Sequence, residues 1–302
     1  MLTKRSGSAP RSISGTRMYF MLALRTPVAP NPVLVETFDL LRKRGLDIEI
    51  GIGEELVLPL DRIAVSHDLY ILKSHAALWL SLAEIVHMHG GRLLNPFPAC
   101  LAVQNKIVAV QLMQTAGLPT PRSWVTADLA GLRSLVQEQP VIIKPYNGGR
   151  GIGIRVVRSS SELTNAPWPA EPVVIQEYVP AYDEVKVYVV GEEVFGIRTR
   201  SRLGDARRRP CGISDEVRAI ALRCGRLFGL GLYGLDVIEG PDGPLVVDLN
   251  YFPSYQDVPS AGALIADFIE DYALGEVSAG VPGKMDGRHG LTNPAELGEL
   301  PT

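Results

Sequence analysis

Tyr233-Gly234-Leu235-Asp236-Val237-Ile238-Glu239, Gly240-Pro241-Asp242-Gly243-Pro244 and Leu245-Val246-Val247-Asp248-Leu249-Asn250 read as two strands around a turn. Gly-Pro and Asp-Gly pairs between apolar runs are strong turn signals. If the five-residue loop closes symmetrically, Asp236 faces Asp248 and Gly234 faces Asn250. Side chains alternate along a strand, so Asp236, Asp248 and Asn250 share one face. Leu235, Val237, Val247 and Leu249 take the other and enter the core. Opposed carboxylates repel at the ~5 Å spacing of paired strand positions. Either Lys or Arg sits between them, or a divalent cation does, or the face is a plain polar surface. Two Asp carboxylates and an Asn carbonyl are hard oxygen donors that suit Mg²⁺ and substrate phosphates.

Upstream, Lys144-Pro145 ends a strand and leads into Asn147-Gly148-Gly149-Arg150-Gly151-Ile152-Gly153. Glycines let backbone amides approach an anion closely. Because a strand and not a helix follows, the turn is neither a Walker A loop nor a dinucleotide fingerprint. A third strand exits through Gln176-Glu177-Tyr178-Val179-Pro180, which is either a plain strand end or a place where main-chain groups freed before the proline meet the edge of an adenine.

The rest of the chain frames these motifs. Its 302 residues exceed one small module, and 46% hydrophobic with 21% charged residues is a globular composition. Thirty Lys and Arg against 33 Asp and Glu argue against a nucleic-acid-coating or polybasic membrane protein. No stretch nears the ~20 apolar residues that span a bilayer. The run Met18–Leu24 is short for a signal peptide core and lacks a small-residue cleavage site, so a buried strand is expected. Three scattered cysteines suit a reducing cytoplasm better than a disulfide scaffold.

The expected organisation is α/β, with α+β parts. Residues 1–16 and 276–302 read as loose ends. Residues 17–98 form a small parallel-sheet layer, with a helix capped by Asn31-Pro32 and another over 76–89. Residues 99–183 begin with one helix over 99–116 and continue as an antiparallel unit with the glycine turn. Residues 184–275 carry the acidic hairpin, a helix over 215–228 and a final helix over 261–273.

In this order the pieces resemble the ATP-grasp superfamily, from about Asn95 to Ala273. The resemblance implies three subdomains, with Mg-ATP clamped between the second and third. It assigns Lys106 and Lys144 to the nucleotide phosphates and Gly148, Gly149, Gly151 and Gly153 to the phosphate flap. Gln176, Glu177 and Val179 fall at the adenine hinge and Glu184 on the ribose. Asp236, Asp248 and Asn250 fall on the magnesium ligands, with Mn²⁺ as a possible substitute. The stretch Ile143–Gly153 is similar to the glutamate ligases of ribosomal protein S6 and lysine-pathway intermediates. Asp248–Tyr255, Val185–Gly191 and Leu94–Ala99 are similar to the inositol trisphosphate 5/6-kinases. Where the glutamate ligases carry Arg-x-Asn, this chain has Arg207-Arg208-Arg209.

Six arginines fall within residues 198–209, and Arg forks bind carboxylate or phosphate bidentately. Arg200 is the candidate for the γ-phosphate or acyl phosphate. Lys73 and His75 follow a strand at the carboxyl edge of a parallel sheet, where ligands bind. Lys186, Arg207 and Tyr255 complete the substrate candidates. The resulting expectation is an ATP-dependent carboxylate–amine or carboxylate–thiol ligase, monomeric to dimeric, acting on small and possibly anionic substrates. The alternatives are a small-molecule kinase and a nucleotide-binding module without turnover.

Overall fold

A computed structural model describes residues 13–23, 31–147, 151–164, 171–180, 183–199, 208–240 and 242–279. Residues 1–12 and 280–302, most of the two expected loose ends, lie outside them, as do Gly148, Gly149, Arg200 and Arg207.

The apolar run near the start becomes β1 (Arg17–Leu22). It pairs in parallel on both sides, with β2 (Asp47–Ile52) and β3 (Leu69–Leu72), and β4 (Leu93–Leu94) extends the sheet beyond β3. A central strand must bury both faces, and Phe20 and Met21, on opposite faces, are both buried. α1 (Pro32–Lys43) starts as its sequence dictates: Asn31 Oδ1 accepts from Val33 N at 3.0 Å and Pro32 fills the first turn. α2 (Ala77–Met88) follows β3 and completes the layer.

The expected single helix over 99–116 is two, α3 (Phe97–Gln104) and α4 (Lys106–Thr115). Asn105 has extended backbone, and its Oδ1 caps α4 by accepting from the amides of Ile107 and Val108. The break makes Lys106 the first residue of α4. Both helices bury side chains in the main core, among them Cys100, Val103, Ala109 and Met113.

The middle of the chain forms β5 (Ser123–Thr126), α5 (Arg133–Glu138), β6 (Val141–Pro145), β7 (Arg155–Val157), α6 (Ser160–Thr164) and β8 (Val173–Glu177). Its antiparallel sheet runs β5-β8-β6-β7. Leu132, Val136, Val141, Ile143, Val173 and Ile175 belong to a core of its own. The last part contains β9 (Asp183–Val190), β10 (Glu193–Thr199), β11 (Arg209–Cys211), α7 (Asp215–Phe228), β12 (Leu232–Gly240), β13 (Gly243–Tyr251) and α8 (Ala261–Leu274). Its antiparallel sheet runs β11-β10-β9-β12-β13, and its core is continuous with that of the first layer.

Polar ties reinforce that continuity. Buried Asn95 donates to Leu232 O at 2.7 Å and accepts from the amides of Gly231 and Leu232 at 2.7 and 3.0 Å. Arg44 at the end of α1 pairs with Asp267 and Glu270 of α8. Replacing Asn95 with Ala removes the acceptor of two buried amides, Gly231 and Leu232, at the start of β12, while the Leu232 carbonyl keeps its bond from Phe252 N. We expect a loss of about 3 kcal/mol. Urea denaturation should register this as a lower midpoint with an unchanged slope.

Candidate active site

The hairpin β12–β13 places Asp236 opposite Asp248 and Gly234 opposite Asn250, as its sequence implies. The route to that register differs from the symmetric five-residue loop. Gly240 pairs with Gly243, so the turn is tighter and the register over Val237–Gly240 is offset by one. A β-bulge between Asp236 and Val237 restores it, with Val247 as the extra residue. Val246, 1% exposed, therefore fills the core position expected of Val247, which is only half-buried. The Val247 carbonyl turns to a new partner: Lys144 Nζ donates to it at 2.8 Å.

Four charges line up across this sheet. Lys186 on β9 is in register with Asp236 on β12, which is in register with Asp248 on β13. Lys186 Nζ donates to both Asp236 oxygens at 2.7 and 2.8 Å. Lys106 reaches down from α4 to Asp248 Oδ1 at 2.8 Å, and Asn250 Nδ2 donates to Asp248 Oδ2 at 3.1 Å. Of the arrangements open to the sequence, lysines flanking the acidic pair are present.

The electrostatics split the two acids. Burial raises the Asp248 carboxyl, but Lys106 and Lys144 outweigh it and hold the group below the usual carboxylate range. Burial raises Asp236, and the facing charge of Asp248 adds to it against the pull of Lys186. Asp248 is thus the firmly ionised member and Asp236 takes up a proton more readily. Lys186 is itself raised: burial lowers it, but Asp236 and Glu184 prevail. Glu184 lies two residues before Lys186 on the same face of β9.

Lys144, buried at the end of β6, also donates to Gln176 Oε1 at 2.5 Å. Gln176 is 2% exposed, and its Nε2 donates to Ser123 Oγ at 3.1 Å. Its side chain therefore orients Lys144 and is not turned outward at the strand exit. Glu177 is engaged as well: its carboxylate accepts from Arg122 Nε at 2.9 Å and its amide donates to Arg122 O. Val179 follows beyond β8. A narrow cavity between α4 and these strands has apolar walls including Val103 and Met113, with Lys106, Lys144, Gln176 and Asp248 as polar lining. Of the glycine turn, Gly151 and Gly153 have φ of +73° and +77°. A Cβ on Gly153 would meet Pro145 Cγ at 2.8 Å, so both conformation and space require glycine.

The substrate candidates separate. Lys73 is buried, 5.2 Å from the centre of the Phe252 ring. His75 stacks on Tyr251 at 4.0 Å between ring centres, and its Nδ1 lies 2.9 Å from Gln104 Oε1. Although the residue is exposed, desolvation by the protein around the ring, with the cations Lys73 and Lys106, lowers its pKa to about 4. Tyr255 is a correction. It is 0% exposed, its hydroxyl donates to Val189 O at 2.7 Å, and it braces the hairpin exit without facing a substrate. Beside Arg207, Arg208 grips Asp257 at 2.6 Å and donates to Tyr188 Oη at 2.9 Å.

Sequence reasoning missed Gln104 and Asn147, which bond to each other at 2.7 Å. The pairing of Asn105 with Asn147 brings them together, and only the helix break at Asn105 could have signalled it. Among the described residues, no three His, Cys, Asp or Glu side chains gather as a metal site. The hairpin instead offers two carboxylates and an amide, a hard-oxygen set that fits Mg²⁺ completed by phosphate or water.

A parallel layer followed by two antiparallel units, with lysines and acids converging on one hairpin, defines an ATP-grasp protein. Residues 103–267 match the RimK-like ATP-grasp domain, and the chain belongs to that family. A probable alpha-L-glutamate ligase of Klebsiella pneumoniae is 28% identical over 188 residues, 56% of this chain and 62% of that protein. The ribosomal protein bS6–L-glutamate ligase of Shigella boydii is 26% identical over 214 residues, 63% of this chain and 71% of that one. The fold matches an ATP-grasp RimK domain protein of Sphaerobacter thermophilus with a TM-score of 0.69 and 19% identity, covering 83% of this chain and 98% of the other. It also matches the ATP-grasp ligase PsnB, complexed with a precursor variant, Mg and ADP, with a TM-score of 0.62 and 21% identity, covering 86% and 99%.

The environment of His75 sets a pH response. Its pKa is lowered in the fold from 6.5 to about 4, so the unfolded chain binds the extra proton between those values. Stability is therefore lost as pH falls through that window. Melting temperatures measured from pH 7 to pH 4 should fall less steeply for His75→Gln than for the wild type.

Proposed function

We propose that the protein is an ATP-dependent carboxylate–amine (or carboxylate–thiol) ligase acting through an acyl phosphate. The observation that carries this reading is the convergence of Lys106 and Lys144 beside the half-buried acidic pair, at the seam between the two cores. Membership of a family whose named relatives are glutamate ligases supports it. In this reading, residues 99–183 and 184–275 close on the nucleotide and residues 17–98 face the substrates.

A substrate carboxylate oxygen attacks the γ-phosphorus of ATP, forming the acyl phosphate as the bond to ADP breaks. An amine then attacks the activated carbonyl, orthophosphate leaves and the amine proton is released. Lys144, aimed by Gln176 and the Val247 carbonyl, and Lys106, at the start of α4, offer ammonium groups to phosphate oxygens. Asp236, Asp248 and Asn250 would hold Mg²⁺, or Mn²⁺, which when bound supplies positive charge against the triphosphate. The glycine turn, with Gly148, Gly149, Gly151 and Gly153, covers the phosphates and excludes water from the acyl phosphate. Gln176 acts on ATP through Lys144, while Glu177 and Val179 border the adenine and Glu184 the ribose. Arg200 is the candidate for the transferred phosphoryl group, and Lys73, His75, Lys186 and Arg207 for the substrates.

Among the described residues no helix is long and apolar enough to cross a membrane. The cysteines are free, which accords with a cytoplasmic setting.

Asp248→Asn removes the ionised acid and should abolish turnover while far-ultraviolet circular dichroism stays unchanged. Phosphorus NMR of the wild type with ATP, Mg²⁺ and candidate carboxylates and amines should show ADP and free orthophosphate. A new phosphomonoester would replace the ligase reading with the kinase one, and full activity in Asp248→Asn would remove the site assignment.

A further inference from the structure

The loop after β3 touches the proposed nucleotide site on two sides. On one side, His75 stacks on Tyr251, the residue after Asn250, and Tyr251 Oη donates to Ser74 O at 2.9 Å. On the other, His75 Nδ1 meets Gln104 Oε1 at 2.9 Å, and Gln104 Nε2 donates to Asn147 Oδ1 at 2.7 Å. Asn147 stands at the root of the glycine turn and pairs with Asn105. The next residue, Lys106, donates its amide to Tyr146 O at 2.8 Å and its ammonium to Asp248 at 2.8 Å. The contacts close a ring: hairpin exit, His75, Gln104, turn root, Lys106 and hairpin again.

We propose that His75 and Gln104 are positioning residues that hold the root of the glycine turn and the exit of the acidic hairpin in one arrangement for Mg-nucleotide. The inference rests on the ATP-site reading above and adds to it a requirement from the first layer of the fold. The chemistry of the link is directional. The Gln104 carbonyl accepts and its amide donates, so His75 carries its proton on Nδ1 when Gln104 bonds both neighbours. Desolvation by the protein packed around it and the cations Lys73 and Lys106 keep the ring neutral near neutral pH, so it has one ring proton, and the Gln104 carbonyl draws it to Nδ1. Tyr251, 0% exposed, gives the ring a fixed face to stack on.

The test is equilibrium binding of Mg-ADP to the full chain, by calorimetry, in the wild type and five variants. Losing the hydrogen bond in His75→Ala or Gln104→Ala should each weaken binding about three- to tenfold. The double variant should bind no more weakly than the weaker single one, because the two residues act as one unit. His75→Asn keeps an N–H near the Nδ1 position and should recover most of the loss, which a merely structural role for the ring would not produce. If His75→Ala fails to fold, Gln104→Ala and His75→Asn decide the matter. Wild-type affinity in His75→Ala, additive losses, or no recovery in His75→Asn would overturn the proposal. Asp248→Asn separates the two levels of inference. If it loses Mg-ADP while His75→Ala does not, only the positioning role falls. If it binds as tightly as the wild type, the ATP-site reading falls and this proposal with it.

Discussion

Two aspartates facing each other across adjacent strands are a constraint the fold has to answer. In a low-dielectric setting a pair of like charges at strand spacing cannot both ionise without cations beside them. Lys186 and Lys106 supply those cations from different directions, one from the neighbouring strand and one from the first turn of α4. The outer positions of the row are thus positive and the inner two negative. Much of the surrounding architecture brings Lys106 into reach: the break at Asn105, its pairing with Asn147, and the amide of Lys106 on Tyr146 O. In the proposed reading, the same carboxylates would hold a metal ion, leaving the ammonium groups to phosphate oxygens.

The apolar core is in two parts. The first layer and the last part share one continuous core, tied by Asn95 and by the Arg44 pairs. The middle unit, which carries Lys144 and the glycine turn, has a separate and smaller core. Polar contacts join the two bodies at the site beside the apolar cavity walls, among them Lys144 on the Val247 carbonyl and the Gln104–Asn147 bond. Polar contacts exchange with water at little net cost, whereas parting a shared apolar core does not.

Much of this was legible in the sequence, for identifiable reasons. The shared face of Asp236, Asp248 and Asn250 follows from strand parity, and α7 runs over Asp215–Phe228, the span expected for it. The break between α3 and α4 was hidden because the residues around Asn105 suit an unbroken helix, and the cap declares itself only through its backbone. β5 was missed because four residues after a proline-rich stretch carry little periodicity. Tyr255 looked like a pocket wall because an aromatic residue near a polar hairpin fits either role. Its placement depends on the left-handed backbone at φ +53°, which no local pattern announces. The roles of Gln104 and Asn147 are set by tertiary contact alone.

The bulge at Val247 hides a compensation of lengths. The tight turn removes one residue from the path and the bulge adds one back, so the two departures cancel just before Asp248. A strand repeats every two residues, so either change by itself would rotate Asp248 and Asn250 into the hydrocarbon interior and bring Val247 and Leu249 to the ion row. Insertions or deletions in this hairpin are therefore tolerable only as matched pairs, and the parity of the residue count between the glycines and Asp248 is as much a part of the site as the acids themselves.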